Sequence, residues 1–195
     1  LMMITHSAGD HMGDAADLAK RTGCTIICAP DVWYNLELQG VNPAQIRPLV
    51  WGGVLQYKEL SIRCVETKHI SFTRTENGSI SGLPLGFILY TESNVGIYHP
   101  GDTSIFSDMK LIAELYSPKI GLLPVGACPG FFPELSAKEA VLVTKWMNFS
   151  LVIPMHYPVD SGDAEEFAGL AGEEAPETQV VILKPGESVT HHALS

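Results

Sequence analysis

The stretch Thr5-His6-Ser7-Ala8-Gly9-Asp10-His11 decides the fold, because it joins an apolar strand-like run at residues 1–5 to a predicted helix. It brings two imidazoles and a carboxylate, those of His6, His11 and Asp10, onto one tight loop. Imidazoles and carboxylates are the groups that bind zinc, manganese and iron in proteins. A short loop at the end of a strand can aim several ligands at one point, since the sheet holds it rigid. The stretch therefore predicts a metal site at the edge of a sheet.

Three later predicted strands end in the same kinds of residue, in the segments Glu66-Thr67-Lys68-His69, Tyr98-His99-Pro100-Gly101-Asp102-Thr103 and Pro154-Met155-His156-Tyr157. Together with the first loop, these strand ends hold five of the seven histidines of the chain. A lone histidine beside a strand is more often a structural residue than a ligand, and for His69 alone that interpretation is favoured. Recurrence at four strand ends favours convergent metal ligands instead.

The composition indicates one packed domain over residues 1–195. Apolar residues make up 46% of the chain and charged residues only 17%, which excludes disorder and a coiled coil. A net charge of -10 argues against nucleic acid or an anionic membrane surface as the partner. No apolar run approaches the roughly 20 residues of a membrane span. Four cysteines without a C-x-x-C pair favour the reducing cytoplasm.

Short apolar runs alternate with stretches of helical period, which is typical of a layered α/β domain. The predicted strands cover residues 1–5, 24–29, 60–67, 84–91, 95–98, 119–125 and 151–154. The predicted helices cover residues 13–22, 32–39, 105–116 and 163–170, with one more starting at the capping box Ser136-Ala137-Lys138-Glu139. Residues 40–57 are predicted to be loop, and residues 179–184 and 188–191 a closing hairpin. Asn77-Gly78 is the turn of either a plain hairpin or a flap over a site.

These motifs carry a family resemblance. The segment Thr5-His6-x-x-x-Asp10-His11 resembles the signature Thr-His-x-His-x-Asp-His of the metallo-β-lactamase fold hydrolases, and the later motifs follow in the order of that family. Residues 101–112, 152–157 and 181–188 look like the branch of uncharacterised metal-dependent hydrolases related to the ascorbate-6-phosphate lactonase. The resemblance implies an αββα sandwich, with two mixed sheets face to face, helices outside and the metal site along one edge.

Transferred position by position, the resemblance implies two metal sites that share one carboxylate. The first uses His6 and His69, the second uses Asp10, His11 and His156, and Asp102 bridges them. One or two ions of zinc or manganese, or of iron, would bind there. The implied reaction is the hydrolysis of a small-molecule ester, such as a phosphodiester or a lactone, by metal-activated water. Asp10 would orient this water or take its proton.

Other residues near these loops have two interpretations or a supporting role. His99 braces a metal ligand, and Tyr157 either donates a hydrogen bond to a substrate oxygen or packs as a ring. Cys128 is either a substitute ligand or a buried thiol. The basic side chains near the loops, which could receive a phosphate, are those of Lys68, Arg74 and Lys110.

One position departs from the signature, because Ala8 stands where its second histidine falls. The first site then keeps two imidazoles and the shared carboxylate, so we expect a mononuclear centre, or a binuclear one with a labile first ion. The alternative to an enzyme is a degenerate member that binds metal or acts only through assembly.

The start of the chain is the second departure. The family usually carries two or more strands ahead of the signature, whereas Leu1 lies only five residues before His6. We therefore expect the domain to lack its N-terminal strands and to expose an unpaired sheet edge. A second copy of the chain could cover this edge, which predicts a homo-oligomer.

Overall fold

The computed structural model describes residues 1–76, 78–126 and 134–191. Its strands are β1 (Met2–Met3), β2 (Ile26–Cys28), β3 (Ile46–Pro48), β4 (Val54–Tyr57), β5 (Leu60–Val65), β6 (Ser71–Thr75), β7 (Gly78–Gly82), β8 (Gly86–Tyr90), β9 (Gly96–His99), β10 (Ile120–Pro124), β11 (Leu151–Met155) and β12 (Gln179–Val180). Its helices are α1 (Gly9–Met12), α2 (Ala15–Thr22), α3 (Pro30–Leu38), α4 (Met109–Tyr116), α5 (Ala137–Met147) and α6 (Asp163–Glu174).

The strands form a large sheet, a small sheet and a separate hairpin. The large sheet has the order β12-β11-β10-β9-β8-β5-β4, the small sheet is β1-β2-β3, and β6 pairs with β7. In the large sheet β9 to β12 are parallel to one another, while β4, β5, β8 and β9 pair antiparallel in that order. The small sheet is parallel throughout. Carboxyl ends of parallel strands meet at one edge, which suits convergent loops.

Burial shows that the two sheets face each other. Ile26 packs into the cluster under α2 and α3, whereas its neighbour Ile27 packs against Ile62 and Phe87 of the large sheet. Side chains alternate between the faces of a strand, so β2 is covered on both sides. Ile88, next to Phe87, packs under α4 to α6 on the far face of the large sheet. This layering is the predicted αββα sandwich.

Local signals place several helix ends as predicted. The Ser136 side chain accepts from the backbone N–H of Glu139, and the Glu139 carboxylate accepts from the backbone N–H of Ser136, which completes the capping box of α5. Such a cap contributes about 1 kcal/mol. Gly23 ends α2 in the left-handed conformation, which glycine adopts without a Cβ clash. The helix predicted from residue 105 begins later, at Met109, after the N-cap Asp108.

Two sequence predictions are wrong. Residues 40–57 were expected to be loop but include β3 and β4, short strands at the edges of the two sheets. Pro48 ends β3, and an edge strand tolerates proline because its outer side needs no N–H donor. The closing hairpin is absent from the described residues, since β12 adds to β11 in parallel and no strand follows it up to residue 191.

The segment around the predicted Asn77-Gly78 turn is a β-hairpin. β6 and β7 pair antiparallel from Ser71↔Gly82 to Thr75↔Gly78.

Among the described helices, none is long and apolar enough to cross a membrane. The extent of the domain and the homo-oligomer stay predictions.

Candidate metal centre

The first loop leaves the small sheet and turns at once into α1. Ile4 continues the pairing of β1 through a hydrogen bond from its N–H to Ile27 O at 3.0 Å. Leu85, before β8, donates its N–H to Thr5 O at 2.8 Å, which ties the loop to the large sheet. His6 follows and is buried, with 1% of its surface exposed. The loop is thus fixed between the two sheets at the edge where the parallel strands end.

Asp102, in the loop after β9, lies at the centre of four imidazoles. The distances from its Oδ2 to the Nε2 atoms are 3.9 Å for His6, 3.1 Å for His11, 3.8 Å for His69 and 3.4 Å for His156. Asp10 completes the cluster, with its Oδ2 at 3.6 Å from His11 Nε2 and 3.5 Å from His156 Nε2. The structure therefore brings together all six residues predicted from the sequence as ligands.

The donor atoms fall into groups that match the two predicted sites. In one group His6, His69 and Asp102 offer atoms within 4.8 Å of one another, and in a second Asp10, His11 and His156 do so. A third group joins Asp102 and His156 to Glu134, a residue that the sequence patterns did not single out. Glu134 lies at the start of the segment that leads into α5, and its side chain is 4% exposed.

The unmet hydrogen-bonding capacity of this cluster fits a metal ion. Within the described part of the chain, His6 Nε2 and Asp102 Oδ1 are buried and make no hydrogen bond. Buried polar atoms are normally paired, so these two lack a partner that a divalent cation would supply. On the opposite side of the rings, Thr5 Oγ1 lies 3.1 Å from Nδ1 of both His6 and His11. A hydroxyl oxygen can accept from both Nδ1–H groups, which leaves the Nε2 atoms as the metal-binding side of both rings. At His11 a metal would replace the Nε2 proton that donates to Asp102.

Burial and charge set the protonation of the cluster. Burial lowers the pKa of His6 to about 4, and the neighbouring His11 adds to the effect. Burial also lowers the pKa of His69. At His11 burial acts in the same direction, but the hydrogen bond and the charge of Asp102 outweigh it and raise the pKa. At Asp102 burial opposes ionisation, yet the hydrogen bond from His11 and the surrounding imidazoles lower the pKa.

Hydrogen bonds join the loops that carry His69 and Asp102. Thr67 Oγ1 donates to Asp102 O at 3.0 Å, and Lys68 N donates to Thr103 Oγ1 at 3.0 Å. His99 Nδ1 accepts from Gly101 N at 3.0 Å, and burial lowers the pKa of this ring. His99 therefore lies beside the Asp102 loop and outside the three donor groups found among the described residues.

Gly101 brings two of the loops into direct contact. Its φ of 67° lies in the left-handed region, and a Cβ there would stand 2.9 Å from Thr5 Cβ. Only glycine lets the Asp102 loop approach the His6 loop this closely.

A buried hydrogen-bond network joins the His6 loop to β6 and α3. Ser7 N donates to Ser71 Oγ at 3.0 Å, and the Ser71 hydroxyl donates to Asp31 Oδ2. Gly82, opposite Ser71 in the hairpin, leaves room for Asp31, since a Cβ at position 82 would lie 2.3 Å from the Asp31 carboxyl carbon. The partners are 40 to 64 residues apart in the chain, so no sequence pattern marked them.

The cluster opens onto a cavity of about 920 Å³. Ala8, Ile70, Phe72, Glu134 and Tyr157 line it together with the metal-ligand candidates. Ala8 thus places a methyl group where the signature has an imidazole. Cys128 lies outside the described residues.

A cluster of imidazoles and carboxylates on the edge of an αββα sandwich defines a metallo-β-lactamase-type domain. The family model described as the beta-lactamase superfamily domain matches residues 1–157. Within that superfamily the chain belongs to the UPF0173 metal-dependent hydrolases. It is 37% identical over 193 residues to such a hydrolase of Methanopyrus kandleri, covering 96% of this chain and 80% of the relative. The Brucella canis relative is 38% identical over 189 residues, covering 94% and 77%. The chain is therefore a metal-dependent hydrolase.

Solved structures agree with this assignment. Igni18, a metallo hydrolase from Ignicoccus hospitalis, superposes with a TM-score of 0.81 at 30% identity over 98% of this chain and 79% of its own. An isothiocyanate hydrolase from Delia radicum gut bacteria superposes with a TM-score of 0.75 at 18% identity over 98% of this chain and 76% of its own, which shows the shared fold.

The network under the His6 loop predicts that Ser71→Ala lowers stability. The change removes the acceptor of Ser7 N–H and the donor to the buried Asp31 carboxylate. We expect a loss of about 1–3 kcal/mol in the free energy of unfolding, measured by urea denaturation. Ser79→Ala, on the exposed surface of the paired strand, is the matched control. Equal stability of the two variants would contradict the proposed support.

The lowered pKa of His6 predicts acid sensitivity of the metal-free protein. The unfolded chain takes up the His6 proton near pH 6.5, whereas the folded protein resists it until about pH 4. Stability should therefore fall as the pH drops through this window, by on the order of 1 kcal/mol for each pH unit. Urea denaturation after removal of metal by a chelator measures the slope. His6→Gln should flatten it, and an unchanged slope in this variant would contradict the assignment.

Proposed function

We propose that this hydrolase cleaves an ester bond of a small molecule with metal-activated water. The observation that carries the proposal is that Asp102 Oδ2 lies 3.1 to 3.9 Å from the Nε2 atoms of four imidazoles, two from each proposed site. Asp102 also lines the cavity. A divalent ion held there would supply hydroxide at neutral pH and polarise the bond under attack. The chemistry then needs no protein nucleophile.

The proposed ligands are Asp102 and the five residues around it. His6 and His69 would form the first site, and Asp10, His11 and His156 the second. Asp102 would be shared between them, because its Oδ2 faces imidazoles of both sites. Imidazoles mixed with carboxylates suit zinc, manganese and iron. Because Ala8 removes an imidazole from the first site, we propose that the second site holds its ion more tightly.

Two residues are proposed to act on water and substrate. The Asp10 side chain is 66% exposed and contacts His11 and His156, so its carboxylate can orient a water molecule in the cavity and accept its proton. Tyr157 lines the same cavity, and burial raises the pKa of its hydroxyl. A protonated hydroxyl can donate a hydrogen bond to a substrate oxygen.

The cavity wall favours an uncharged ester over a phosphodiester. Ile70, Phe72 and Pro158 give it an apolar side, and the lining includes no Lys or Arg among the described residues. Residues 127–133, outside that description, contain no Lys or Arg in their sequence either. With a single divalent ion, the carboxylates of Asp10, Asp102 and Glu134 would leave the centre negative, and this would repel a phosphate.

The basic side chains that the sequence offered as phosphate anchors lie elsewhere. Lys68 forms an ion pair with Glu66, and Lys110 Nζ lies 4.5 Å from the ring centroid of Trp146. Arg74 lines a different hollow from the metal-ligand candidates. We therefore place a lactone or a carboxylic ester ahead of phosphorylated substrates.

The alternative is a metal-binding protein without turnover. The observation in its favour is Ala8, which removes an imidazole from the first site and none from the second.

For the compartment we propose the reducing cytoplasm. Its support is that Cys24, Cys28 and Cys64 are free, while burial raises the pKa of Cys28 and Cys64 to about 12.

Metal content and two classes of substrate, uncharged esters and a phosphodiester, test the function. Protein loaded with zinc or manganese should hydrolyse p-nitrophenyl butyrate or a γ-lactone faster than bis(p-nitrophenyl) phosphate. Metal per chain is measured by elemental analysis. Asp102→Asn should lower metal content, because it removes the shared carboxylate. One bound ion per chain with no turnover of any ester would favour the degenerate alternative, and a preference for the phosphodiester would refute the uncharged substrate.

Restoring the imidazole tests the assignment of the first site. Ala8→His should raise the metal bound per chain towards two, because the first site would regain a third private ligand. Titration with zinc followed by elemental analysis gives the number. Ala8→Gln adds similar bulk without an imidazole and serves as control. The same stoichiometry in Ala8→His and the parent would show that residue 8 does not face the first site.

A further inference from the structure

The two ring nitrogens of His156 face different groups. Nε2 lies 3.5 Å from Asp10 Oδ2 and 3.4 Å from Asp102 Oδ2, inside the cluster of donors. Nδ1, on the other side of the ring, lies 3.9 Å from Glu134 Oε1. This distance is about 1 Å longer than a hydrogen bond, and such contacts often tighten only when a site is loaded. The carboxylate therefore faces the nitrogen that the proposed metal site does not use.

The residues that follow Glu134 hold it in place. Leu135, the next residue, is fully buried, pairs with Val125 in an isolated bridge, and accepts a hydrogen bond from Gly126 N at 3.1 Å. Ser136 then begins α5 through its capping box. Glu134 itself is 5% exposed. Burying a carboxylate is costly unless it has a partner. Among the described residues, His156 Nδ1 at 3.9 Å is such a partner.

His156 in turn needs support for its ring. It follows the last residue of β11 with a φ of 60°, a left-handed conformation that is uncommon for residues other than glycine. Its side chain is 32% exposed, so neighbouring residues pack against only part of the ring. The more buried rings of His6 and His11 have the Thr5 hydroxyl against their Nδ1 atoms. Glu134 likewise faces the Nδ1 atom of His156, at 3.9 Å.

We infer that Glu134 is a positioning residue for His156. Its carboxylate accepts a hydrogen bond from the Nδ1–H group of the ring, which fixes the tautomer and keeps the Nε2 lone pair directed into the cluster beside Asp10 and Asp102. The inference rests on the proposed function in one respect, namely that His156 binds the metal of the second site. Partners of this kind typically change metal affinity by about 10- to 100-fold.

The test measures metal affinity rather than turnover. In Glu134→Gln the dissociation constant for zinc, from competition with a chromogenic chelator, should rise by about 10- to 100-fold. The zinc bound per chain at saturation should stay at the parent value. Asp163→Asn, which removes another carboxylate from the same cavity wall, is the matched control and should leave the affinity unchanged. Melting temperatures of the metal-free proteins separate a local effect from unfolding.

A spectroscopic measurement tests the tautomer itself. The ¹⁵N shifts of His156 in the zinc-loaded parent should show a protonated Nδ1, and Glu134→Gln should alter this signal more than Asp163→Asn does. An unchanged zinc affinity in Glu134→Gln would overturn the inference. A complete loss of bound zinc in this variant would overturn it too, because Glu134 would then be a metal ligand. If the parent binds zinc but His156→Ala binds it equally well, the proposed second site fails instead, and the two failures are thereby distinguished.

Discussion

The ionised carboxylate of Asp102 is the group on which the rest of the centre depends. It is 4% exposed, and burial alone would favour its neutral form. The hydrogen bond from His11 and the other surrounding imidazoles reverse that preference. A charge buried in this way is stable only if the other three ligand-bearing segments converge on it, since an unpaired buried charge costs several kcal/mol. The convergence of loops from two different sheets is therefore an energetic requirement as well as a chemical one.

The fold meets this requirement through parallel strands and close backbone contacts. β1, β9 and β11 each deliver a loop to the same edge, while β5 delivers His69 from the antiparallel part of the large sheet. Gly101 lets the Asp102 loop touch Thr5, and the Thr5 hydroxyl orients two of the rings. One threonine thus joins the packing of the backbones to the orientation of the donors.

The sequence predicts those parts of the structure that depend on local pattern. The ligand spacing from His6 to His11, the α5 capping box and the buried strands follow from pattern within a few residues. The loop predicted for these ligands is shorter in the structure, since Asp10 and His11 already belong to α1. Long-range partners leave no such pattern, so Asp31, Ser71 and Glu134 emerge only from the folded chain. The edge strands β3 and β4 were missed because proline and glycine dominate their surroundings. The prediction of a closing hairpin is wrong because an apolar run indicates a strand but not the strand that it pairs with. β12 pairs with β11.

The β6–β7 hairpin and the residue before it have two roles, because they line the cavity and also support the His6 loop. Ile70 and Phe72 line the cavity, while Ser71 between them is fully buried beneath the His6 loop. Side chains along a strand alternate between its faces, so the wall of the cavity and the support of the loop occupy different positions of one segment. Substitutions at positions 70 and 72 can therefore change the wall without removing the contacts of Ser71 and Gly82 with Asp31. This arrangement lets one metal centre diversify its specificity without being rebuilt.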